Sequence, residues 1–180
     1  MNEKVFSTLE LTKILDRLAG HTSFSGGEDL ALTLTPTVDA DEARLWIQET
    51  SEARRLLDQQ GEQFSLGGVH DVRVEAMSTQ RGIVLEPVML LDIRSTLGRA
   101  TTLRRMLTRM RGTYPLMAGI AENLEECTAL QHEINRIIGD DGSVLDSASP
   151  KLAVIRRDLR ITFDRLQSKL NAIVNNSTYA

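Results

Sequence analysis

The sequence of 180 residues predicts an all-α fold in which a helical bundle leads into one long arm helix. Apolar residues recur at steps of three and four along most of the chain, and this spacing gives a helix one buried face. Aromatic residues make up only 4% of the chain, and leucine and alanine dominate over valine-rich alternating runs. Short extended pieces remain possible near residues 66–69 and 143–145, but no convincing strand or internal repeat is evident.

The first two helices are predicted from capping and breaking residues. The segment Ser7-Thr8-Leu9-Glu10 has the spacing of a capping box, so a helix is expected to begin there and to end near Gly20. A short second helix is predicted over about 26–34, and it stops before Pro36.

A longer third helix is predicted over about 40–60, with Asp39 as its N-cap. A short helix near 71–79 follows a loop that contains three glycines. The residues expected on one side of the third helix are Trp46, Glu49, Ala53, Leu56 and Leu57.

The middle of the chain predicts one long helix and two short ones. Glu86-Pro87 begins a helix that runs to about Met110, because proline suits the first helical position. Shorter elements are predicted over 114–123 and 128–138. The apolar stripe of the long helix is Leu90, Ile93, Leu97, Ala100, Leu103, Leu107 and Met110.

A polar hinge separates this bundle from the arm helix. Glycine and aspartate cluster after residue 139, where a turn is needed, and Ser149 and Pro150 suit the cap and first position of a helix. No glycine or proline interrupts the chain from Pro150 to Asn175, which at the helical rise predicts a helix of about 39 Å. The predicted division is therefore a helical core over 1–139, a hinge over 140–149 and an arm helix over 150–180.

The arm helix carries an apolar stripe that needs a partner helix. A returning helix or a second copy of the chain are the two partners considered. The stripe, expected to serve helix packing or dimerisation, is Leu152, Ile155, Leu159, Phe163, Leu166, Leu170 and Ile173.

Charge is distributed unevenly. Residues 1–90 carry 8 basic and 15 acidic side chains, net −7, and residues 91–180 carry 13 basic and 10 acidic side chains, net +3. Only the second half is therefore a candidate for binding polyanions. One basic set is Arg94, Arg99, Arg104, Arg105, Arg109 and Arg111. The other begins at Lys151, and its candidate nucleic-acid-binding residues are Arg156, Arg157, Arg160, Arg165 and Lys169; a solvated face is the ordinary alternative for both sets.

The sequence offers no catalytic, cofactor or metal motif. It has no GxxxxGK[ST] loop for nucleotide phosphates, and the spacing of Asp140, Asp141 and Asp146 departs from an EF-hand. Cys127 lies beside two glutamates, which disfavour a reactive thiolate. A single cysteine, no signal pattern and no membrane-length apolar run predict a soluble, cytoplasmic chain without a membrane partner.

Four segments carry a resemblance to a known family: residues 1–10, Ser51–Leu57, Leu66–Arg73 and, most specifically, Asp140–Leu152. Together they resemble the N-terminal core and arm (lever) region of the bacterial MutS-like ATPases of the second type, the MutS-II family. The resemblance covers this chain in order but only a minority of a family member. It implies a MutS core-like bundle and one arm of a coiled-coil clamp.

The resemblance also implies a function for the longer parent. Such parents are homodimeric, DNA-binding ATPases that use ATP and magnesium and usually carry a C-terminal Smr endonuclease domain. They are linked to suppression of recombination, through branched or mismatched DNA, and to rescue of collided ribosomes. The chain itself is expected not to be an enzyme, and the family's start at the helical core puts mismatch reading in doubt.

Two alternatives to the DNA-binding hypothesis remain. The chain could be a helical dimerisation or ribosome-docking module without direct DNA binding, or a free-standing coiled-coil adaptor.

Overall fold

The computed structural model describes residues 3–61 and 64–174, with side chains from Phe6 onward, and these residues form nine α-helices and one 3-10 turn. The predicted all-α fold is confirmed, since the described residues contain no strand and only a single bridge between Ile138 and Val144. The helices are α1 (Glu3–Thr8), α2 (Leu11–Ala19), α3 (Ser25–Leu32), α4 (Ala40–Gln60), α5 (Arg73–Gln80), α6 (Pro87–Arg109), α7 (Pro115–Glu122), α8 (Thr128–Ile137) and α9 (Pro150–Val174).

Several helix ends follow from the local chemistry that the sequence predicts. The carboxylate of Asp39 accepts the backbone N–H groups of Asp41 at 2.8 Å and Glu42 at 3.2 Å, so it caps α4 as predicted. Pro87 opens α6 after an extended Glu86, and Gly20 caps the end of α2. The 3-10 turn Asp146–Ala148 lies between α8 and α9.

The capping box predicted at the start of the chain is wrong. Ser7 and Thr8 belong to the end of α1, and α2 begins at Leu11 after Glu10, whose φ of 52° is left-handed. The Glu10 side chain makes no cap hydrogen bond, because its carboxylate binds the Lys13 ammonium at 2.6 Å. A tight turn between two short helices therefore replaces a single capped helix.

The main core lies where α4, α6 and α7 meet. Its largest fully buried side chains include Leu56 and Tyr114, and the Tyr114 hydroxyl donates to the Gln59 side chain at 2.5 Å. This hydrogen bond satisfies the phenol inside an otherwise apolar cluster. The buried members of the cluster are Leu56, Leu107, Tyr114, Met117 and Ala121.

The prediction of which side of α4 is buried is only partly correct. Leu56 and Ala53 pack in the core, but Trp46 is 37% exposed and Leu57 is 49% exposed. Glu52, which the apolar pattern did not include, is buried with 3% exposure. The helix is turned toward Glu52 because α7 packs against this part of α4.

The Glu52 carboxylate caps a helix that is distant in sequence. Its Oε1 accepts the backbone N–H of Met117 at 2.8 Å, in the first turn of α7. The first N–H groups of a helix have no partner within the helix and favour a negative charge. Glu52 therefore satisfies an otherwise unpaired donor inside the core.

The stripe predicted on α6 is confirmed, since all seven of its residues are buried or half-buried. α6 packs against α7 and α8, and α8 leads into the hinge (residues 140–149) that precedes α9. Residues 175–180, which complete the predicted arm, lie outside the described residues, as do Met1 and Asn2 of the family-like start.

Candidate nucleic-acid interface

The hinge is an ordered loop. The backbone N–H of Gly139 donates to Ser143 O at 2.8 Å, and the N–H of Leu145 donates to Ile137 O at 2.8 Å. Between these hydrogen bonds the chain reverses through Gly142, whose φ of 78° favours glycine. The glycines and aspartates that predict a turn therefore build a small hairpin-like loop that closes onto the end of α8.

The acidic residues of the hinge each have a separate partner. Asp141 Oδ1 accepts the backbone N–H of Ser143 at 3.0 Å and its hydroxyl at 2.7 Å, and these hydrogen bonds lower the pKa of the Asp141 carboxyl. Asp140 and Asp146 instead bind arginines from other helices. Among the described residues, no group of three or more His, Cys, Asp or Glu side chains is placed to hold a metal ion.

Three arginines from three helices hold the hinge. Arg94 of α6 donates to Asp140 at 2.9 Å. Arg136 of α8 donates to the carbonyls of Ser147 and Ala148, and Glu133 binds its guanidinium. The third arginine, Arg156 of α9, binds the hinge from the arm side.

Arg156 fixes the direction in which α9 leaves the bundle. Its Nη1 donates to Val144 O at 2.7 Å and to Asp146 Oδ1 at 2.8 Å. The ion pair is partly exposed, so its Coulomb energy is modest, but the two contacts join the loop to the second turn of α9. Arg156, predicted to bind phosphate, therefore already has two partners within the chain.

Beyond the hinge, α9 is a solvent-exposed helix. Every residue from 157 to 174 is exposed, including the apolar stripe, in which Leu159 is 69% and Phe163 is 62% exposed. Of the seven stripe residues only Leu152, at the base of the helix, is half-buried. The bundle therefore presents about 18 residues of helix to solvent, equivalent to about 27 Å of axis.

The five predicted phosphate-binding residues of α9 do not share one face. At about 100° per residue, Arg165 and Lys169 lie on one flank of the apolar stripe, together with Lys151 and Asp158. Arg156 and Arg160 lie on the other flank, and Arg157 and Asp164, seven residues apart, lie further round on the outer face. The exposed cations therefore surround the stripe, and no single basic ridge forms.

The arginines of α6 are mostly used within the fold. Arg104 donates to Leu124 O at 2.7 Å, and Arg105 binds Glu126 at 2.8 Å. The latter contact raises the pKa of Arg105 and lowers that of Glu126. The α6 arginines with partners inside the chain are Arg94, Arg99, Arg104 and Arg105, and Arg111, just after the helix, binds Glu122. This engagement makes α9 the better candidate of the two basic sets.

A loop that sequence analysis left without a role is fastened along α6. The Ser95 hydroxyl donates to Gly68 O at 2.7 Å, and the backbone N–H of His70 donates to Thr96 Oγ1 at 2.9 Å. These contacts explain why the family-like segment Leu66–Arg73 is rich in glycine and polar residues. The α6 side chains that hold the loop are Asp92, Ser95, Thr96 and Arg99.

The same loop is tied to α3 by an ion-pair network. Arg73 Nη2 binds Asp29 at 2.6 Å and Asp71 at 2.5 Å, and the Ser25 hydroxyl donates to Asp71 at 3.2 Å. The Arg73 guanidinium, with the Ser25 hydroxyl, holds the pKa of Asp71 well below its usual range, and the carboxylates of Asp71 and Asp29 raise the pKa of Arg73. Two carboxylates and one arginine thus connect elements far apart in sequence.

Beneath this loop lies an apolar pocket of about 490 Å³, lined in part by Phe24, Leu66 and Leu103. A second apolar pocket, of about 460 Å³, lies beside Trp46. Cys127 is exposed and precedes α8 with a left-handed φ of 39°. No helix in the described part of the chain has both the length and the apolar character needed to cross a membrane.

Comparison with known proteins gives one consistent name. The chain is 38% identical over 177 residues to Endonuclease MutS2 of Symbiobacterium thermophilum, covering 98% of this chain and 22% of that protein. It is 32% identical over 179 residues to Endonuclease MutS2 of Geobacillus thermodenitrificans and 33% identical over 177 residues to that of Thermomicrobium roseum. These matches cover 98% and 97% of this chain and 23% and 22% of those proteins, respectively. No family model matches the sequence.

The similarity extends along nearly the whole chain, and the chain spans about a fifth of the length of the curated relatives it matches. The chain is therefore related to proteins named Endonuclease MutS2, in agreement with the family resemblance seen in the sequence. The activity in that name is the relatives' own.

Proposed function

We propose that the chain is the non-catalytic core and first arm helix of a MutS2-type protein, and that α9 contacts the phosphate backbone of DNA. Residues 1–139 form the core, residues 140–149 the hinge and residues 150–180 the arm in this proposal. The observation that carries it is the exposure of every residue from 157 to 174 on a helix rich in cations. The similarity to proteins named Endonuclease MutS2 over almost the whole chain supports it.

The net positive charge of α9 suits binding to the phosphates of a nucleic acid without recognition of its base sequence. The helix carries six basic and two acidic side chains, net +4, within a chain whose formal net charge is −4. Arginine and lysine side chains that neutralise phosphates bind DNA of any sequence, and the affinity falls with salt. The exposed cations of α9 beyond Arg156 are Arg157, Arg160, Arg165 and Lys169, of which Arg157 also lies 3.8 Å from the Asp158 carboxylate.

The ordered hinge gives these cations a defined position. Because Arg94, Arg136 and Arg156 hold the loop, α9 leaves the bundle in a fixed direction. We assign Arg156 to this positioning role, so the phosphate contacts fall to the cations beyond it. Duplex or branched DNA, bound without sequence preference, is the proposed partner.

The parent's activities are part of the same proposal. The longer protein would be a cytoplasmic homodimer with ATPase and endonuclease activities, using ATP and magnesium in a domain other than this chain. Suppression of recombination and rescue of collided ribosomes are its proposed roles, with branched DNA and the ribosome as partners.

A second candidate function is a helical dimerisation or ribosome-docking module without direct DNA binding. The exposed apolar stripe of α9 favours this candidate, because Leu159, Phe163 and Ile173 face water at more than half of their surface. In that case the cations of α9 would serve only solubility and partner choice.

Binding to fluorescent duplex and four-way-junction DNA at low salt tests the proposal. The variant Arg157→Glu/Arg160→Glu/Arg165→Glu/Lys169→Glu should bind at least about tenfold more weakly than wild type, for every DNA sequence alike. The matched control reverses four exposed cations of the first half, Lys13→Glu/Arg17→Glu/Arg44→Glu/Arg54→Glu, and should change binding far less. Detectable binding that both variants weaken equally, or that neither weakens, contradicts the assignment to α9.

A further inference from the structure

We infer that the hinge (residues 140–149) is a rigid junction and not a pivot, so that α9 changes direction only together with α6 and α8. The contacts that carry this inference lie within the described residues and join the loop to three helices. The inference goes beyond the proposed function, because it concerns how the arm is held and stands whether or not α9 binds DNA.

The end of α8 and the 3-10 turn are joined by reciprocal hydrogen bonds. The Ser147 hydroxyl donates to the backbone carbonyl of Arg136 at 2.5 Å, and Arg136 Nη1 donates to the backbone carbonyl of Ser147. The Glu133 carboxylate accepts from the other edge of the same guanidinium, from Nε at 3.0 Å and from Nη2 at 2.5 Å. Because the last carbonyls of a helix have no partner within it, the Ser147 hydroxyl fixes the turn to a group that α8 leaves unpaired.

The loop closes on α8 too tightly to leave space for a side chain at residue 139. A Cβ on Gly139 would lie 2.8 Å from Asp141 Oδ1 and 3.2 Å from Leu145 Cδ2. Ile138, the neighbour of Gly139, is 3% exposed and forms the bridge to Val144. The loop is therefore packed against the end of the helix that it follows.

The helix α6 holds the loop from a second side. One guanidinium, that of Arg94, donates to Asn135 Oδ1 of α8 at 3.3 Å and to Asp140 of the loop at 2.9 Å. The tip of the loop also lies against α6, because a Cβ on Gly142 would lie 3.7 Å from Leu91 Cδ1, an ordinary van der Waals distance. The loop is therefore joined to α6 and α8 as one body.

Arg156 joins the arm to the same body. Its Nη1 donates to two oxygen atoms of the loop, and the backbone N–H of Ala153 donates to Ser149 O at 3.1 Å, so the first turn of α9 follows the 3-10 turn directly. After Pro150, α9 contains no glycine or proline, which are the usual causes of a helix kink. The arm is therefore stiff from its base onward.

Movement within the loop would break contacts on both of its sides. A pivot works by changing φ and ψ at a few positions that absorb the movement. Here, a change within residues 143–147 would break hydrogen bonds that backbone carbonyls of this segment accept from Gly139, Arg136 and Arg156. These donors belong to the end of α8 and to α9, so the junction resists bending in either direction.

Distances between spin labels on α6 and α9 test the inference in the 180-residue chain. In a Cys127→Ser background, Thr108→Cys and Gln167→Cys place one label on each helix at exposed positions. Residue 167 lies roughly 26 Å along α9, so a swing of about 10° at the hinge would move it by about 5 Å. The chain with its junction intact should give a single narrow distance, and a broad distance overturns the inference.

Removal of the arginine contacts should convert the junction into a pivot. Arg94→Ala/Arg136→Ala/Arg156→Ala should broaden the distance distribution by at least about 5 Å, the movement that a swing of about 10° produces. A triple variant that stays as narrow as its control overturns the assignment of the junction to these arginines. The control should keep the narrow distance, and it changes to alanine three exposed arginines that do not bind the hinge, Arg17, Arg55 and Arg157.

Gly139→Ala tests the packing of the loop by a smaller change. The added methyl group displaces the Asp141 carboxylate from its hydrogen bonds with Ser143, so backbone amides of residues 141–146 should exchange hydrogen about tenfold faster. Gly112→Ala is the matched control, because a methyl group at that position meets open space. Equal exchange in the two variants would contradict the close packing of the loop and, with it, the rigid junction.

Discussion

Glu52 places a carboxylate inside the bundle, with only 3% of its surface exposed. Its position is explained by the 2.8 Å hydrogen bond from the backbone of Met117, at the start of α7. The residue thus joins α4 to α7 by a polar contact within an apolar core, and an unsatisfied N–H would remain if it were removed.

Replacing Glu52 with alanine should therefore destabilise the fold by about 2–3 kcal/mol, from the lost hydrogen bond and the cavity. Glu52→Gln keeps an oxygen acceptor and should cost about 1 kcal/mol. Urea unfolding measures both changes, with Asp58→Ala, which removes an exposed carboxylate of the same helix, as control. A Glu52→Ala protein as stable as the control would show that the contact contributes nothing.

The lowered pKa of Asp71 makes the folding stability of the chain depend on pH in the acid range. Hydrogen bonds from Arg73 and Ser25 hold the pKa of the folded carboxyl well below its usual range. The unfolded chain takes up a proton near the ordinary pKa of about 3.9, while the folded chain does not, so the stabilisation is present above that pH and is lost as pH falls below it.

Asp71→Asn should accordingly lower stability at neutral pH and reduce the further loss between about pH 5 and about pH 3. Urea midpoints at the two pH values measure this difference. Asp58→Asn, which changes an exposed carboxylate of α4, is the control and should keep the acid sensitivity of wild type. Equal acid sensitivity in Asp71→Asn and wild type would contradict the assigned role.

At the scale of elements, the hinge and α9 act as one unit. Arg156 joins the second turn of α9 to Val144 and Asp146, and Arg136 holds the 3-10 turn from the other side. The direction of the arm thus depends on arginine contacts to the loop.

Arg156→Gln should release this connection. Backbone amides of residues 144–150 should exchange hydrogen about tenfold faster, since hydrogen bonds to charged groups contribute about 1.5–3 kcal/mol and this site is partly exposed. Arg157→Gln, one residue further on the exposed face, is the matched control. Unchanged exchange in Arg156→Gln would mean that the loop's own backbone hydrogen bonds are sufficient to order it.

Local chemistry allowed many element boundaries to be predicted from the sequence. Asp39 before α4, Pro87 at the start of α6 and Gly20 after α2 act within a few residues of their own position, so a local pattern detects them. The prediction at the start of the chain was wrong, because Ser7 and Thr8 have the spacing of a capping box but lie inside α1.

Contacts between residues that are far apart in the sequence could not be predicted from local sequence patterns. Glu52 lies 65 residues from Met117, and Arg94 lies 46 residues from Asp140, so no spacing rule pairs them. In the candidate interface, the cations of α9 were predicted as a group, but the Arg156 contacts with the hinge were not. A surplus of arginines near a turn was the available signal, and it did not specify partners.

At the scale of the whole molecule, an acidic first half and a basic arm are joined by an ordered hinge. The first 90 residues carry net charge −7, while α9 carries +4 on a helix exposed from residue 157 to residue 174. If the proposed polyanion binds, this asymmetry favours the arm over the α1–α5 part of the bundle as its site.

The salt dependence of DNA affinity tests the central proposal most directly. Each phosphate neutralised by α9 should add about 0.9 to the slope of log affinity against log salt for duplex DNA. The account predicts a slope of about −2 to −4 for wild type, and a slope near zero once Arg157, Arg160, Arg165 and Lys169 are reversed to glutamate. A wild-type slope near zero, or the same slope in the reversed variant, would contradict the account.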